Sequence, residues 1–159
     1  MYAIITGASS GCGYEYARVM ASKGYDLLVV SNEDAIHDKA QLLRQDFGVE
    51  VVSLVRNLGV QEAAKELYDY CQAENLEVEV LINNAGVYHD CDFLADSEGF
   101  NQLIFNLHMH TPAMLMYYFA QDMVKRGKGY ILNMCSITAD IAVQRLSTYG
   151  ATKAFLSNF

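Results

Sequence analysis

The sequence predicts an α/β fold, a doubly wound parallel sheet of about five strands with helices on both faces. Three observations lead there. Short apolar runs alternate with segments of near-helical hydrophobic spacing, the pattern of strands joined by crossover helices. The strand-like runs are apolar at nearly every position, as strands buried on both faces require. The first run also feeds straight into a glycine-rich turn, Thr6-Gly7-Ala8-Ser9-Ser10-Gly11-Cys12-Gly13, that opens a helix.

In chain order, Ala3-Ile4-Ile5 reads as the first strand, and a helix runs from about Gly13 to Lys23, closed by Gly24. Asp26 to Val30 is the second strand. Ile36, Ala40, Leu43 and Phe47 recur at helical spacing and place a helix over Asp34 to Phe47. Val49 to Val55 is the third strand, Gln61 to Glu74 the next helix, and Glu79 to Ile82 the fourth strand. A long helix is expected from Glu98, capped by Ser97 or Asp96, to Arg126. Pro112 lies inside it and should kink it, because its ring displaces the His108 carbonyl and it donates no backbone bond. Tyr130 to Met134 is the fifth strand, and a last helix starts near Ser147 and runs to Phe159.

A chain of 159 residues, 52% hydrophobic and 19% charged, fits one domain, residues 1–159, with a substantial core. Lys and Arg number 11 against 19 Asp and Glu, a net charge of -8, and no basic stripe marks a nucleic-acid partner. The N-terminus enters a strand without a basic leader, and no apolar stretch approaches the length of a bilayer span, so the expected location is the cytosol, away from membranes. Cys12, Cys71, Cys91 and Cys135 show no close pairing and read as reduced thiols. His108 and His110, two apart on a helix, face different sides, and His37 and His89 stand alone. No metal site is assigned.

Two groups of residues carry chemistry. Gly7, Gly11 and Gly13, with Thr6, Ser9, Ser10 and Cys12 around them, sit between a strand and a helix. Such a turn lets backbone N–H groups and the helix dipole meet a pyrophosphate. Tyr149 and Lys153, four apart, project from one helical face, and Ser136 ends the fifth strand at the sheet edge where ligands of open α/β folds bind. An ammonium about 5 Å from a phenol, at an effective dielectric of about 20, favours the phenolate by roughly 3 kcal/mol. That equals about two pKa units, enough to bring a tyrosine towards neutral acid–base work.

These motifs resemble the short-chain dehydrogenase/reductase family over essentially the whole chain. The matches are the loop of form T-G-x-x-x-G-x-G, Asn83-Asn84-Ala85-Gly86 after the fourth strand, and Ser136 thirteen residues before Tyr149-x-x-x-Lys153. The resemblance implies a Rossmann-like sheet in strand order 3-2-1-4-5. It further implies hydride transfer between NAD(H) or NADP(H) and a small carbonyl or secondary alcohol, in a homodimer or homotetramer. Tyr149 would be the general acid and base and Lys153 its electrostatic partner. Ser136 would hold the substrate oxygen, and Asn106 would position a water leading to Lys153. The cofactor would meet the glycine loop, Ser31 and Asn32 after the second strand, Asn57 and Leu58 after the third, Asn84, Ala85 and Gly86 after the fourth, and Tyr149 and Lys153. Ser31 stands where NAD-dependent members have an acid and Asn32 where NADP-dependent members have Arg, so cofactor preference is left open. Family members continue past the point matching Phe159, and about 60–100 further residues would complete the substrate side. A chain holding only the cofactor half would act instead as a non-catalytic dinucleotide-binding, regulatory or interaction module.

Overall fold

A computed structural model describes all 159 residues, Met1–Phe159. Its strands are β1 (Tyr2–Thr6), β2 (Asp26–Ser31), β3 (Val51–Val55), β4 (Val78–Asn83) and β5 (Tyr130–Asn133). They form one parallel sheet in the order β3-β2-β1-β4-β5, as expected. The helices are α1 (Gly11–Ser22), α2 (Ile36–Phe47), α3 (Ala63–Ala73), α4 (Glu98–Phe105), α5 (Thr111–Arg126) and α6 (Ser147–Asn158). No helix is long and apolar enough to cross a membrane.

The two-residue period of a strand sorts the core into two layers. Ala3 and Ile5 of β1 and Leu27 and Val29 of β2 pack with Ala17 of α1 and Leu43 of α2. Ile4, Leu28 and Val30 point the other way, towards Leu67 of α3, Leu115 and Phe119 of α5 and Leu156 of α6. Burying each such aliphatic side chain contributes about 1.5–3 kcal/mol, so both faces are strongly specified. One charged residue of the strands is buried: Glu79 of β4 is 2% exposed, with Tyr25 Oη donating at 2.8 Å and Lys128 Nζ 2.9 Å away. Lys128 first, and then Tyr25, hold its carboxyl below the usual range.

The long helix expected over Glu98 to Arg126 is divided. Ser97 caps it, its Oγ accepting from Phe100 N–H at 3.1 Å, but α4 stops at Phe105. Asn106–His110 then form a wider π turn, closed by Thr111 N–H donating to the Asn106 carbonyl, before α5 begins. Pro112 sits in the first turn of α5, where its missing N–H costs least. The strain expected as a simple kink is absorbed one turn earlier as the bulge.

Candidate active site

Because all five strands run parallel, the loops after β1, β2, β3 and β4 gather at one edge of the sheet. They enclose a cleft of about 340 Å³. Gly7, Ser9, Ser10, Cys12 and Gly13 supply one wall, and Ser31 and Asn32 the end beyond β2. Asn57 and Leu58 follow β3, and Asn84, Ala85 and Gly86 follow β4. Twelve of the residues expected at a cofactor therefore face one space. Thr6, Gly11, Tyr149 and Lys153 are placed elsewhere: Thr6 is buried behind the wall, Gly11 opens α1 beside open space, and the last two lie past Gly86.

Hydrogen bonds lock the wall. Thr6 Oγ1 donates to the Ile82 carbonyl at 3.3 Å and accepts from the N–H groups of Asn84 and Ala85, both at 3.0 Å. Asn84 Nδ2 donates to the carbonyls of Thr6 at 2.9 Å and Gly7 at 3.1 Å. Gly13 packs directly on this latch. A Cβ there would overlap the Gly7 carbonyl and stand 2.5 Å from Asn84 Nδ2. Ser10, at the N-cap of α1, makes no side-chain capping bond, so the first-turn N–H groups remain available to an anion. A glycine cradle, free donors and a positive helix end fit a dinucleotide pyrophosphate.

The farther end of the cleft holds two residues the sequence reading passed over, Arg56 and Glu33. Ser31 Oγ is tied there, donating to Ser9 Oγ at 3.0 Å and accepting from Glu33 N–H at 3.2 Å. The guanidinium of Arg56 bonds only the neighbouring Val55 carbonyl, at 2.9 Å, which leaves the rest of its fork of donors open.

Tyr149 and Lys153 emerge together from α6. Lys153 is 4% exposed, its Nζ donates to the Met134 carbonyl at 2.8 Å, and it lies 5.8 Å from the centre of the Tyr149 ring. Burial pulls its pKa below the ordinary lysine value. Ser136 follows β5 and caps a short 3-10 turn, Ile137–Ala139. Its Oγ accepts from Thr138 N–H at 3.2 Å and Thr138 Oγ1 at 2.9 Å, so its own proton is free for a ligand. Gly150, beside Tyr149, brings α6 onto this turn, since a Cβ there would already lie 3.1 Å from the Thr138 carbonyl.

Asn106 occupies the π turn, buried rather than facing solvent. Its Nδ2 donates to the Gly59 carbonyl at 2.9 Å and its Oδ1 accepts from Gln102 at 3.1 Å. Its side chain therefore ties this bulge to the loop after β3.

A residue given no role in the sequence reading lies beside Tyr149 and Lys153. His108 is 1% exposed, with Val87 N–H donating to its Nε2 at 2.9 Å and Thr152 Oγ1 3.1 Å from Nδ1. Nε2 must accept, which puts the proton on Nδ1 and directs it to Thr152; Thr152 in turn donates to the Tyr149 carbonyl at 2.8 Å. Burial first, and Lys153 second, pull its pKa down to about 3. Tyr149 is flanked edge-on by His108 at 5.6 Å and by Tyr88 at 5.5 Å.

The loop bearing Tyr88 is pinned from outside. Arg145 Nε meets Asp90 Oδ1 at 2.6 Å, its Nη1 lies 3.7 Å from Asp92, and its carbonyl accepts from Cys91 N–H at 3.2 Å.

Comparison with known proteins agrees with this geometry. A family model described as short chain dehydrogenase matches residues 1–159. A very-long-chain 3-oxoacyl-CoA reductase of Anas platyrhynchos is 29% identical over 99% of this chain and 52% of its own length. The Homo sapiens protein of the same name is 28% identical over the same shares. This chain thus spans about half the length of the curated relatives it matches. Among solved structures, a short-chain dehydrogenase from Sphingobium yanoikuyae in complex with NADPH superposes with a TM-score of 0.90 at 31% identity, covering 98% of this chain and 60% of that one. The bulky-bulky ketone specific alcohol dehydrogenase of Comamonas testosteroni gives 0.90 at 30% identity, covering 98% and 62%.

Proposed function

The chain belongs to the short-chain dehydrogenase family, and from that premise we propose that it serves an NAD(P)-dependent oxidoreductase acting on a ketone or secondary alcohol. The observation that supports this reading is the pairing of Lys153 with Tyr149 on a helix that packs on the turn bearing Ser136. A buried, carbonyl-anchored Lys153 ammonium lies 5.8 Å from the Tyr149 ring, and Gly150 seats the same helix on the turn that Ser136 caps.

The roles follow from the chemistry of each group. Ser136 donates its free hydroxyl proton to the substrate oxygen. Tyr149 delivers a proton to that oxygen in reduction and removes it in oxidation. Lys153 favours the phenolate by charge and, being desolvated, does so in a setting of low screening. When bound, the nicotinamide cofactor supplies or accepts the hydride. The glycine loop, locked in shape by Asn84, and the N-terminus of α1 would hold its pyrophosphate. Ser31, in place of an acid, allows a 2′-phosphate, and Arg56 offers that phosphate a cation, so NADPH is the preferred reductant.

The substrate class rests on the relatives' names, a 3-oxoacyl-CoA reductase and a dehydrogenase for bulky ketones. Turnover on a panel of small and bulky ketones, in the protein at its full natural length, tests the mechanism. Tyr149→Phe should lower turnover by about 10²–10⁴-fold while NADPH affinity, measured by calorimetry on the 159-residue chain, stays near wild type. Turnover surviving in Tyr149→Phe would remove the proposed acid–base role. A wild-type chain that binds neither NADPH nor NADH would remove the dinucleotide site itself.

A further inference from the structure

The loop between β4 and α4 presents a second constellation, outside the cleft. His89, Cys91 and Asp96 each direct one donor atom to a common point, and the three atoms lie within 4.8 Å of one another. Asp90 and Asp92 turn to one side, where Arg145 pairs with them, and His89 and Cys91 turn to the other, towards Asp96.

Asp96 is the informative member. Its side chain is only 6% exposed, and Oδ1 lies 2.9 Å from His89 Nδ1, yet that buried oxygen receives no hydrogen bond. A buried carboxylate is costly unless it is fully paired, and a cation held jointly by Asp96, His89 and Cys91 would offset that cost. The Arg145 pairings matter equally, because they engage Asp90 and Asp92 and leave Asp96, joined by Cys91 once a metal displaces its proton, as the anionic donors of the group.

We infer that His89, Cys91 and Asp96 form a zinc-binding site. One imidazole nitrogen, one sulfur and one carboxylate oxygen are the donor types of zinc, and three protein ligands leave a fourth position for water. Zinc–ligand bonds of about 2.0–2.3 Å at tetrahedral angles hold donors roughly 3.3–3.8 Å apart, so the widest separation has to close by only about 1 Å. His89 is half exposed, which gives the ion a path in. The site would fasten the loop to the start of α4, where His89 already meets Phe100 edge-on at 4.9 Å. It would thereby fix Tyr88, the residue before His89, against Tyr149.

The test is titration of the purified, reduced 159-residue chain with zinc alone and with cobalt(II) alone. One equivalent should bind, the cobalt form should show thiolate-to-metal charge transfer, and the Cys91 proton should be released. His89→Ala, Cys91→Ser and Asp96→Asn should each cost more than the roughly 10–100-fold loss seen when a group that only orients a metal ligand is removed. Asp92→Asn, on the opposite side of the loop, should leave affinity unchanged, which separates a coordinated ion from one merely attracted by acidic charge. Circular dichroism establishes that the loop variants fold. Absence of stoichiometric zinc binding, binding untouched by the three substitutions, or a cobalt complex without the thiolate band would each overturn the assignment. None of these readouts depends on catalytic turnover.

Discussion

His108 shows how one side chain can make the molecule sensitive to pH. In the folded protein its Nε2 accepts from a buried N–H and its Nδ1 proton points to Thr152, so a second proton would cost the Val87 bond and place a cation beside Lys153. An unfolded histidine takes up its proton near pH 6.5, whereas this one resists until about 3. Between those values the unfolded chain binds more protons, so stability falls as pH drops from about 6.5 towards 3, by a few kcal/mol in total. Denaturant unfolding at steps across that range should show the slope. His108→Leu should weaken the protein at neutral pH by stranding Val87 N–H and Thr152, and should remove this part of the slope. An unchanged slope in the variant would assign it to the carboxylates. The sequence alone could not single this histidine out. Its partners are 21 and 44 residues away, and only the bulge before Pro112 turns it inward. Ser136, Tyr149 and Lys153, by contrast, were legible because their spacing along a strand end and a helix face carries the arrangement locally.

At the scale of elements, the glycine turn and the loop after β4 behave as one part. Bulk at Gly13 would stand in the way of a phosphate approaching the backbone. The latch shows an earlier obstacle, since Gly13→Val would first collide with the Gly7 carbonyl and Asn84. The expected outcome is a joint loss: about 1–3 kcal/mol of stability, seen as a lower melting temperature, together with loss of NADPH binding in calorimetry. A variant that melts like wild type yet fails to bind would return the effect to simple occlusion. Most elements were readable from periodicity, and the strands agree within one or two residues. The exception is the π turn, because an i→i+5 bond leaves no mark on a spacing of apolar residues that remains helical on either side. Nor did spacing reveal the zinc group, whose members lie two and five residues apart in an irregular loop.

For the 159-residue chain taken as a unit, the sheet's two margins decide its behaviour in solution. β5 is apolar and poorly covered, with Tyr130, Ile131 and Leu132 at 59, 37 and 39% exposure. Met116 and Met123 of α5 are buried beneath the sheet and add nothing to an outer contact surface. Tyr117 and, just past the end of α6, Phe159 remain outside, at 60 and 64% exposure. An unpaired apolar edge recruits another strand. The 159-residue chain should therefore self-associate at micromolar concentrations, and Ile131→Lys should return it towards monomer in sedimentation velocity. A wild-type chain that sediments as a monomer throughout would rule this out.

The strand order adds a condition on the form of that assembly. The sheet ends at β5 on one side and at β3 on the other, and both outer rows of backbone donors and acceptors are unmatched by another strand. If β5 meets β5 across a two-fold axis, the two copies satisfy each other and growth stops at a ten-stranded dimer. If β5 meets β3, every addition re-creates the end it consumed, and the same chain becomes the repeating unit of an open filament.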